Sequence, residues 1–354
     1  MNDGMKEGNK LIFIYRNPKN PHELVRALNE QLQKLDGSYN PAASVISDST
    51  KKYQDECARY IKQVKVVLHG DDETDPQPDQ ISVLAQEIYS SDCLLHLIVV
   101  LRKLDFDSRK DVSIIFLTLL RRQIGSKSPT VDYLLLNPEI LIVLMRGAET
   151  KETGLICGQI LRDCIKYEQM LHFVIYNPLF WKFFDYVQIP VFEIATDAFT
   201  TLHDVLTLHK KIASEFLGAY YSEFTKRINQ LVQSNNYVTK RQSVKLLSEL
   251  VLERRNQTFL NAYFDDTNNL KLIMILLSDK LKNLQIEAFH IFKFFIAKPK
   301  KCQGILDILI KNKENFIAFF DDFQLDSTND PTMIDERDYI LKEIKGLPDI
   351  ERIQ

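Results

Sequence analysis

Apolar side chains recur at helical spacing through most of the chain. A helix is predicted to begin at Asn20-Pro21, because an Asn cap followed by proline at the first helical position is a common helix start. Its apolar residues then return to one side every three or four positions: Leu24, Leu28, Leu32 and Leu35. Further helices are predicted over residues 42–68, 81–89 and 93–104, and no segment shows a convincing period-two strand. The pattern indicates a protein built from helices.

A small residue followed by large apolar residues on the same helix face recurs along the chain. The successive spacings between these small residues are 44, 41, 45 and 45 residues, a period typical of armadillo and HEAT arrays. A small side chain lets neighbouring helices approach closely, and stacked units bury a common core. The five anchors are Ser113, Cys157, Ala198, Ser243 and Ala288. We therefore predict an all-α, armadillo/HEAT-like helical-repeat solenoid, a right-handed superhelix with a concave binding face, over a bundle with coincidental spacing.

Glycine usage supports this prediction. The chain has 11 glycines in 354 residues, about 3% against a usual value of about 7%. Many-stranded sheets and phosphate-binding loops need glycine at bulges, corners and tight turns. The composition therefore disfavours sandwich, barrel and dinucleotide-binding folds.

Charge and hydropathy disfavour a nucleic-acid-binding, membrane-spanning or exported protein. The formal net charge of −3 disfavours a dedicated nucleic-acid binder. The longest apolar stretches fall far short of the ~20 residues that cross a bilayer, and the polar start of the chain resembles no export signal. We expect a cytoplasmic protein with no membrane partner. Its cysteines are then expected to be reduced core thiols: Cys57, Cys93, Cys157, Cys164 and Cys302.

Motifs that carry catalysis or bind cofactors are missing from the sequence. There is no phosphate loop, no zinc-protease signature and no nucleophile elbow. His203 and His209 are six residues apart, which places their rings ~120° apart around a helix, so a shared metal ion is not expected. We predict no metal, no cofactor and no enzymatic activity.

One stripe of side chains suggests a binding surface. Tyr237, Arg241 and Lys245 recur every fourth residue, and Val244, Leu247 and Val251 lie on another face, which would be the packed one. An exposed aromatic followed by two cations suits a partner with acidic or aromatic groups. The pattern alone favours a plain solvated face, with Lys245 and Glu249 as a weak ion pair.

Several segments resemble the calcium-binding protein 39 family (Mo twenty-five-like), whose members are armadillo-type scaffolds that activate kinases. This resemblance favours a binding surface over a plain solvated face. The most specific are YVTKRQSVKLLSELVLERRN at 237–256 and NLKLIMILLSDKLKNLQIEAFHIFKFFIAKPKK at 269–301. Others are LAQEIYSSDCLLHLI at 84–98, LDFDSRKDVSIIF at 104–116 and RRQIGSKSPTVDY at 121–133. The likeness is collinear from about Leu11 to Lys345.

The resemblance implies an adaptor for signal transduction and cell polarity. Its partner would be a sterile-twenty-family kinase or pseudokinase of the STRAD type, in a complex with liver kinase B one. The concave-face contacts of the family map onto Phe192, Tyr237, Arg241 and Lys245. Met274 maps onto a pocket for a C-terminal Trp-Glu-Phe peptide motif of the partner. Segments 134–140, 188–194 and 257–266 differ from the family pattern, and so does the start of the chain.

The resemblance also suggests the domain organisation. We expect a polar N-terminal extension over 1–20, a single armadillo-like domain over 21–345 and a C-terminal tail over 346–354. A final amphipathic helix is predicted in the acidic region before the tail, with Met333, Ile334, Tyr339, Ile340 and Ile344 on its packed face. The alternative function is a generic helical-repeat adaptor that binds acidic or aromatic linear motifs.

Overall fold

The computed structural model describes residues 18–38, 47–71, 75–323 and 331–348. Most of the predicted N-terminal extension, the start of the helix predicted from residue 42 and the end of the predicted tail lie outside these residues. The chain divides into two compact units, Met1–Ile160 and Leu161–Gln354. The single-domain boundaries stay a prediction.

The described part of the chain is α-helical and contains no strand, apart from an isolated bridge between Ile124 and Lys127. The all-α prediction is confirmed. The helices of the first unit are α1 (Pro21–Ser38), α2 (Asp48–His69), α3 (Pro78–Ser90), α4 (Cys93–Val99), α5 (Phe106–Arg121), α6 (Pro129–Leu136), α7 (Glu139–Met145) and α8 (Gly154–Cys164), whose last four residues belong to the second unit.

The second unit continues with shorter and longer helices in alternation. They are α9 (Glu168–Tyr176), α10 (Phe183–Tyr186), α11 (Phe192–Thr207), α12 (Lys210–Ala219), α13 (Tyr221–Val232), α14 (Tyr237–Leu252), α15 (Gln257–Tyr263), α16 (Thr267–Leu277), α17 (Lys282–Ala297), α18 (Gln303–Lys311), α19 (Lys313–Asp321) and α20 (Pro331–Lys345). Short 3₁₀ turns lie at Leu101–Lys103, Gly147–Glu149, Pro178–Lys182 and Arg254–Asn256.

Local sequence explains the helix ends. The Asn20 side chain accepts a hydrogen bond from the Glu23 amide at 2.9 Å, and the Glu23 carboxylate accepts one from the Lys19 amide at 2.9 Å, which satisfies backbone donors at the start of α1. Helix α2 ends before Gly70, whose φ of 76° lies in the left-handed region that favours glycine. The predicted helix over 81–89 begins earlier than expected, at Pro78, because proline fits the first helical turn.

Polar contacts between helices repeat at the period found in the sequence. Many of these contacts join residues 39–46 positions apart, and each of the pairs named below lies within one unit. Equivalent helices of successive repeats therefore lie side by side, as in a solenoid. In the first unit these pairs are Lys65–Asp111, Ser82–Arg122, Tyr89–Thr130, Asp92–Tyr133 and Arg109–Glu152. In the second they include His203–Glu249, Tyr221–Ala262, Asn229–Asn269, Lys240–Asp279 and Lys293–Glu336.

The anchors are buried, as predicted, and one of them shows why smallness matters. A Cβ added to Gly147 would lie 2.1 Å from the Cys157 Cβ, so only glycine permits this approach of the 3₁₀ turn to α8. The anchor in α5 is shifted by one residue, however. Val112, not Ser113, occupies the place that Ser243 has in α14, as the matching sets of buried residues in the two helices show.

The cysteine prediction holds for four of the five residues. Cys57, Cys93, Cys157 and Cys164 are buried, and all five cysteines are free thiols. Burial raises the pKa of the Cys57 thiol to about 12. Cys302 is only partly buried, and its Sγ donates to the Asp265 carbonyl at 3.3 Å.

The predicted final amphipathic helix is present as α20, but two of the five residues predicted for its packed face are exposed. Met333, Ile340 and Ile344 are buried, whereas Ile334 and Tyr339 are exposed. The difference arises because α20 packs on α17 and α19 through a narrow stripe, which accommodates only some of its apolar residues.

Candidate functional site

The predicted stripe begins at the capped start of α14. The Asn236 side chain accepts hydrogen bonds from the Val238 and Thr239 amides at 2.9 and 3.4 Å, so Tyr237 becomes the first helical residue. Its side chain is 43% exposed, and Arg241 and Lys245 are exposed one and two turns further on. The packing partners of the helix lie on its other side.

Phe192 occupies the repeat-equivalent position. It is the first residue of α11, as Tyr237 is the first residue of α14, and it is 62% exposed. The buried residues of α11 coincide with those of α14 after a shift of 45 residues, with Ser248 the one exception. The two helices pack against each other. Phe192 and Tyr237 are therefore equivalent side chains of two successive repeats.

Electrostatics give the stripe a positive character. Among the described residues we find no partner for the Arg241 guanidinium. Lys245 lies 4.0 Å from Glu249, the weak ion pair expected from their spacing. The helix dipole adds partial positive charge at the start of α14, near Tyr237. A carboxylate-bearing partner would find an aromatic ring, a fork of guanidinium donors and an ammonium group in a row.

Met274 lines a separate groove in the second unit. The groove has a volume of about 690 Å³ and lies between α16 and α19. Its lining is mostly apolar, with Ile275 exposed at 70%, and has one cation, Lys271. The lining residues are Lys271, Met274, Ile275, Leu277, Ser278, Asn312, Asn315, Phe316 and Phe319. A short peptide with an aromatic side chain and a carboxylate would fit this chemistry.

The structure thus groups four of the five predicted residues and leaves one apart. Phe192, Tyr237, Arg241 and Lys245 lie on adjacent helices, while Met274 belongs to the groove. The next repeat does not continue the exposed stripe. Lys282, the first residue of α17, is half-buried, with its ammonium group 4.8 Å from the centre of the Phe323 ring.

The sequence did not predict that His203, a titratable residue, lies near the far end of the stripe. His203 Nε2 lies 2.7 Å from a Glu249 oxygen, and its Nδ1 lies 3.3 Å from an Asp204 oxygen. The hydrogen bond to Asp204 and the interaction with Glu249 raise the pKa of His203 above its usual value, although burial opposes the shift. His203 and Glu249 are 46 residues apart, and only the repeat period could have suggested their contact.

His203 and His209 do not meet. The His209 ring contacts the carbonyl oxygens of Ile165 and Lys166 at 3.0 and 3.1 Å. Over residues 18–38, 47–71, 75–323 and 331–348, no cluster of three or more His, Cys, Asp or Glu side chains could hold a metal ion. In the same ranges, no helix is both long and apolar enough to cross a membrane.

Comparison with known proteins identifies the family. Residues 12–348 match the model of the Mo25-like family. The chain belongs to the Mo25-like family. It is 41% identical to the human protein named calcium-binding protein 39-like, over 96% of this chain and 98% of that protein. It is 39% identical to the Mo25-like protein of fission yeast, over 95% of this chain and all of its relative.

One solved structure has a weak overall likeness to the chain. A designed armadillo repeat protein superposes on 76% of this chain and 99% of its own, with a TM-score of 0.41 and 10% identity. That likeness is too weak to add to the argument. The Mo25-like family is of the scaffold type and generally non-catalytic, and neither of the relatives named above has an enzyme's name.

Proposed function

We propose that this protein is a non-enzymatic scaffold that binds and activates sterile-twenty-family kinases or pseudokinases of the STRAD type, in a complex with liver kinase B one. Membership in the Mo25-like family supports the scaffold class. The observation that carries the finer proposal is the row of exposed, equivalent side chains on α11 and α14, led by Phe192 and Tyr237. These residues are the ones that the family resemblance assigns to kinase binding.

Activation follows if the protein binds the closed form of the kinase fold better than the open form. A preformed surface shifts that equilibrium only by the difference between its two affinities. The described helices of the second unit are held by a continuous apolar core, so the stripe is presented with little conformational freedom. The same binding would act on a kinase or on a pseudokinase, because it involves no chemistry on the scaffold.

The test measures the affinity of a STRAD-type pseudokinase domain by isothermal titration calorimetry. We expect Tyr237→Ala and Arg241→Ala each to weaken binding by tenfold or more, the range of residues at the centre of an interface. Lys211→Ala removes an exposed lysine on α12 and serves as the control, with an expected change of less than twofold. Unchanged affinity in both stripe variants would rule out this surface.

A second candidate function is a general adaptor for acidic or aromatic linear motifs, because the apolar groove at Met274, with its cation Lys271, also suits other such motifs. A Trp-Glu-Phe peptide titrated into the protein separates the two proposals. The kinase-scaffold proposal expects saturable binding that Met274→Ala weakens and Met274→Leu largely retains, since leucine keeps the apolar contact. No response to this peptide, or one that Met274→Ala leaves intact, would favour the general adaptor.

A further inference from the structure

His203 links the two helices of the candidate surface through a pair of carboxylates. Its Nε2 lies 2.7 Å from Glu249 Oε2 on α14, and its Nδ1 lies 3.3 Å from Asp204 Oδ1 on its own helix. An imidazolium donates two N–H bonds and can serve both carboxylates, whereas a neutral imidazole has one N–H and can serve only one. The number of satisfied carboxylates therefore depends on the protonation state of His203.

Glu249 also faces the partner-binding stripe. While its Oε2 contacts His203, its Oε1 lies 4.0 Å from the ammonium group of Lys245. Both side chains are partly exposed, so a docked partner can reach them. The charge that Glu249 directs toward Lys245 is the charge that competes with an acidic group on the partner.

Other ionisable groups lie on the helices that pack against α11, but the hydrogen bonds of His203 to carboxylates are with Glu249 and Asp204. The groups that perturb His203 are Asp204 and Glu249. On the neighbouring α12, Lys210 is already paired with Glu253 of α14 at 2.6 Å. The remaining ionisable groups on helices packed against α11, outside these pairs and the stripe, include Glu168 and His172 on α9, Asp185 on α10 and Lys211 and Glu215 on α12.

We propose that His203 tunes this surface by proton binding: protonated, it neutralises Glu249 and leaves Lys245 free for an acidic group of the partner. When His203 loses its proton, the negative charge of Glu249 beside Lys245 is no longer compensated, and the surface attracts an acidic partner less strongly. The inference rests on the proposed function, because it assumes that the partner docks on this stripe. It adds a property, a dependence of affinity on pH within the range where histidine titrates.

The size of the change in affinity with pH follows from the partial exposure of His203, Glu249 and Lys245. Exposed charge pairs contribute modestly, so we expect the affinity for the partner to fall roughly two- to fivefold between pH 6 and pH 8. His203→Gln keeps a hydrogen-bond donor but cannot be charged, and it should bind at all pH values as the wild type does at pH 8. His203→Lys keeps the positive charge and should bind throughout as the wild type does at pH 6.

The experiment titrates the STRAD-type pseudokinase domain into the wild type and the two His203 variants at several pH values. Because the same partner is used throughout, the difference between wild type and His203→Gln cancels the partner's own titration. The His203 ring is followed in parallel by NMR, in the wild type and in Glu249→Gln. We expect Glu249→Gln to lower the pKa of His203 and to remove most of the pH dependence of binding.

The experiment distinguishes failure of the proton-linked inference from failure of the proposed docking surface. If the wild type binds and Arg241→Ala weakens it, but wild type and His203→Gln have the same pH profile, the proton-linked inference is wrong and the proposed function stands. If the wild type does not bind at any pH, or Arg241→Ala is without effect, the proposed docking surface is wrong and the inference falls with it.

Discussion

Helices α5 and α14 have the same buried face and different exposed faces. Each has 16 residues, and their eight buried positions coincide after a shift of 131 residues. The exposed stripes, by contrast, read Phe106, Lys110 and Ile114 in α5 and Tyr237, Arg241 and Lys245 in α14. Stacking between repeats constrains the buried positions, while the exposed ones are free to differ and to set binding.

The Lys110 side chain shows how far the two stripes diverge. Its ammonium group lies over the ring of Phe106 at 4.0 Å, so the cation and the aromatic of α5 contact each other. No such contact is seen between Tyr237 and Arg241 in the described structure, and both are available to a partner. The same aromatic-cation spacing therefore produces two different surfaces.

The largest effect is expected at the shared buried positions. Leu119 and Leu250 occupy the same place in α5 and α14, and both are buried. Either leucine replaced by alanine should lower the free energy of unfolding by about 2–5 kcal/mol, because the change removes apolar contacts and leaves a cavity. Urea unfolding followed by circular dichroism measures it. A loss at one position but not at the other would contradict the equivalence of the two helices.

A somewhat smaller loss is expected at Gly147, which faces the buried anchor of α8. Gly147→Ala places a methyl group against Cys157 and should cost about 1–3 kcal/mol, the usual range for overpacking. Gly37→Ala is the matched control, since an added Cβ there meets nothing within 4 Å. Thermal unfolding of the two variants compares them. Equal stabilities would show that the anchor tolerates more volume than the packing suggests.

The exposed stripes should separate binding from stability. Arg241→Ala and Lys110→Ala remove cations at the same place in equivalent helices, and each should change the free energy of unfolding by less than about 0.5 kcal/mol. Only Arg241→Ala should weaken binding of the STRAD-type domain, by tenfold or more if it lies at the centre of the interface. Calorimetric titration of both variants measures this. Equal losses would mean that position in the repeat, not the particular surface, determines binding.

The smallest effect concerns what His203, which links α11 to α14, contributes to the pH dependence of stability; α5 contains no histidine. Because the folded protein raises the pKa of His203, its favourable contribution is complete below the unfolded value of about 6.5 and is lost as the pH rises through the folded value. Wild type should therefore exceed His203→Gln in stability more at pH 5.5 than at pH 8.5. Chemical unfolding at the two pH values tests the sign, and a larger difference at pH 8.5 would contradict it.

Much of the fold was accessible from the sequence because helical repeats are local objects. The spacing of Leu24, Leu28, Leu32 and Leu35 predicted the packed face of α1, and all four are buried. The one-residue error at Ser113 has a simple cause. Adjacent residues of a helix differ by 100° in direction, and a broad apolar face accepts either of them as its inner edge.

The candidate site was accessible only in part. The sequence placed Tyr237, Arg241 and Lys245 on one stripe, since four-residue spacing is local, and the family resemblance added Phe192 and Met274. Neither the contact of His203 with Glu249 nor the pairing of α16 with α19 around the groove has a local signature. Such contacts join residues about one repeat apart.

The sequence by itself determined the helices, their period and most of their buried faces, because these depend on the spacing of apolar residues along the chain. The tertiary structure alone decided which exposed side chains became neighbours. Stacking of successive repeats brought Glu249 beside His203 and set Phe192 and Tyr237 at equivalent helix starts. Those positions follow from packing between helices, which is a property of the folded chain as a whole.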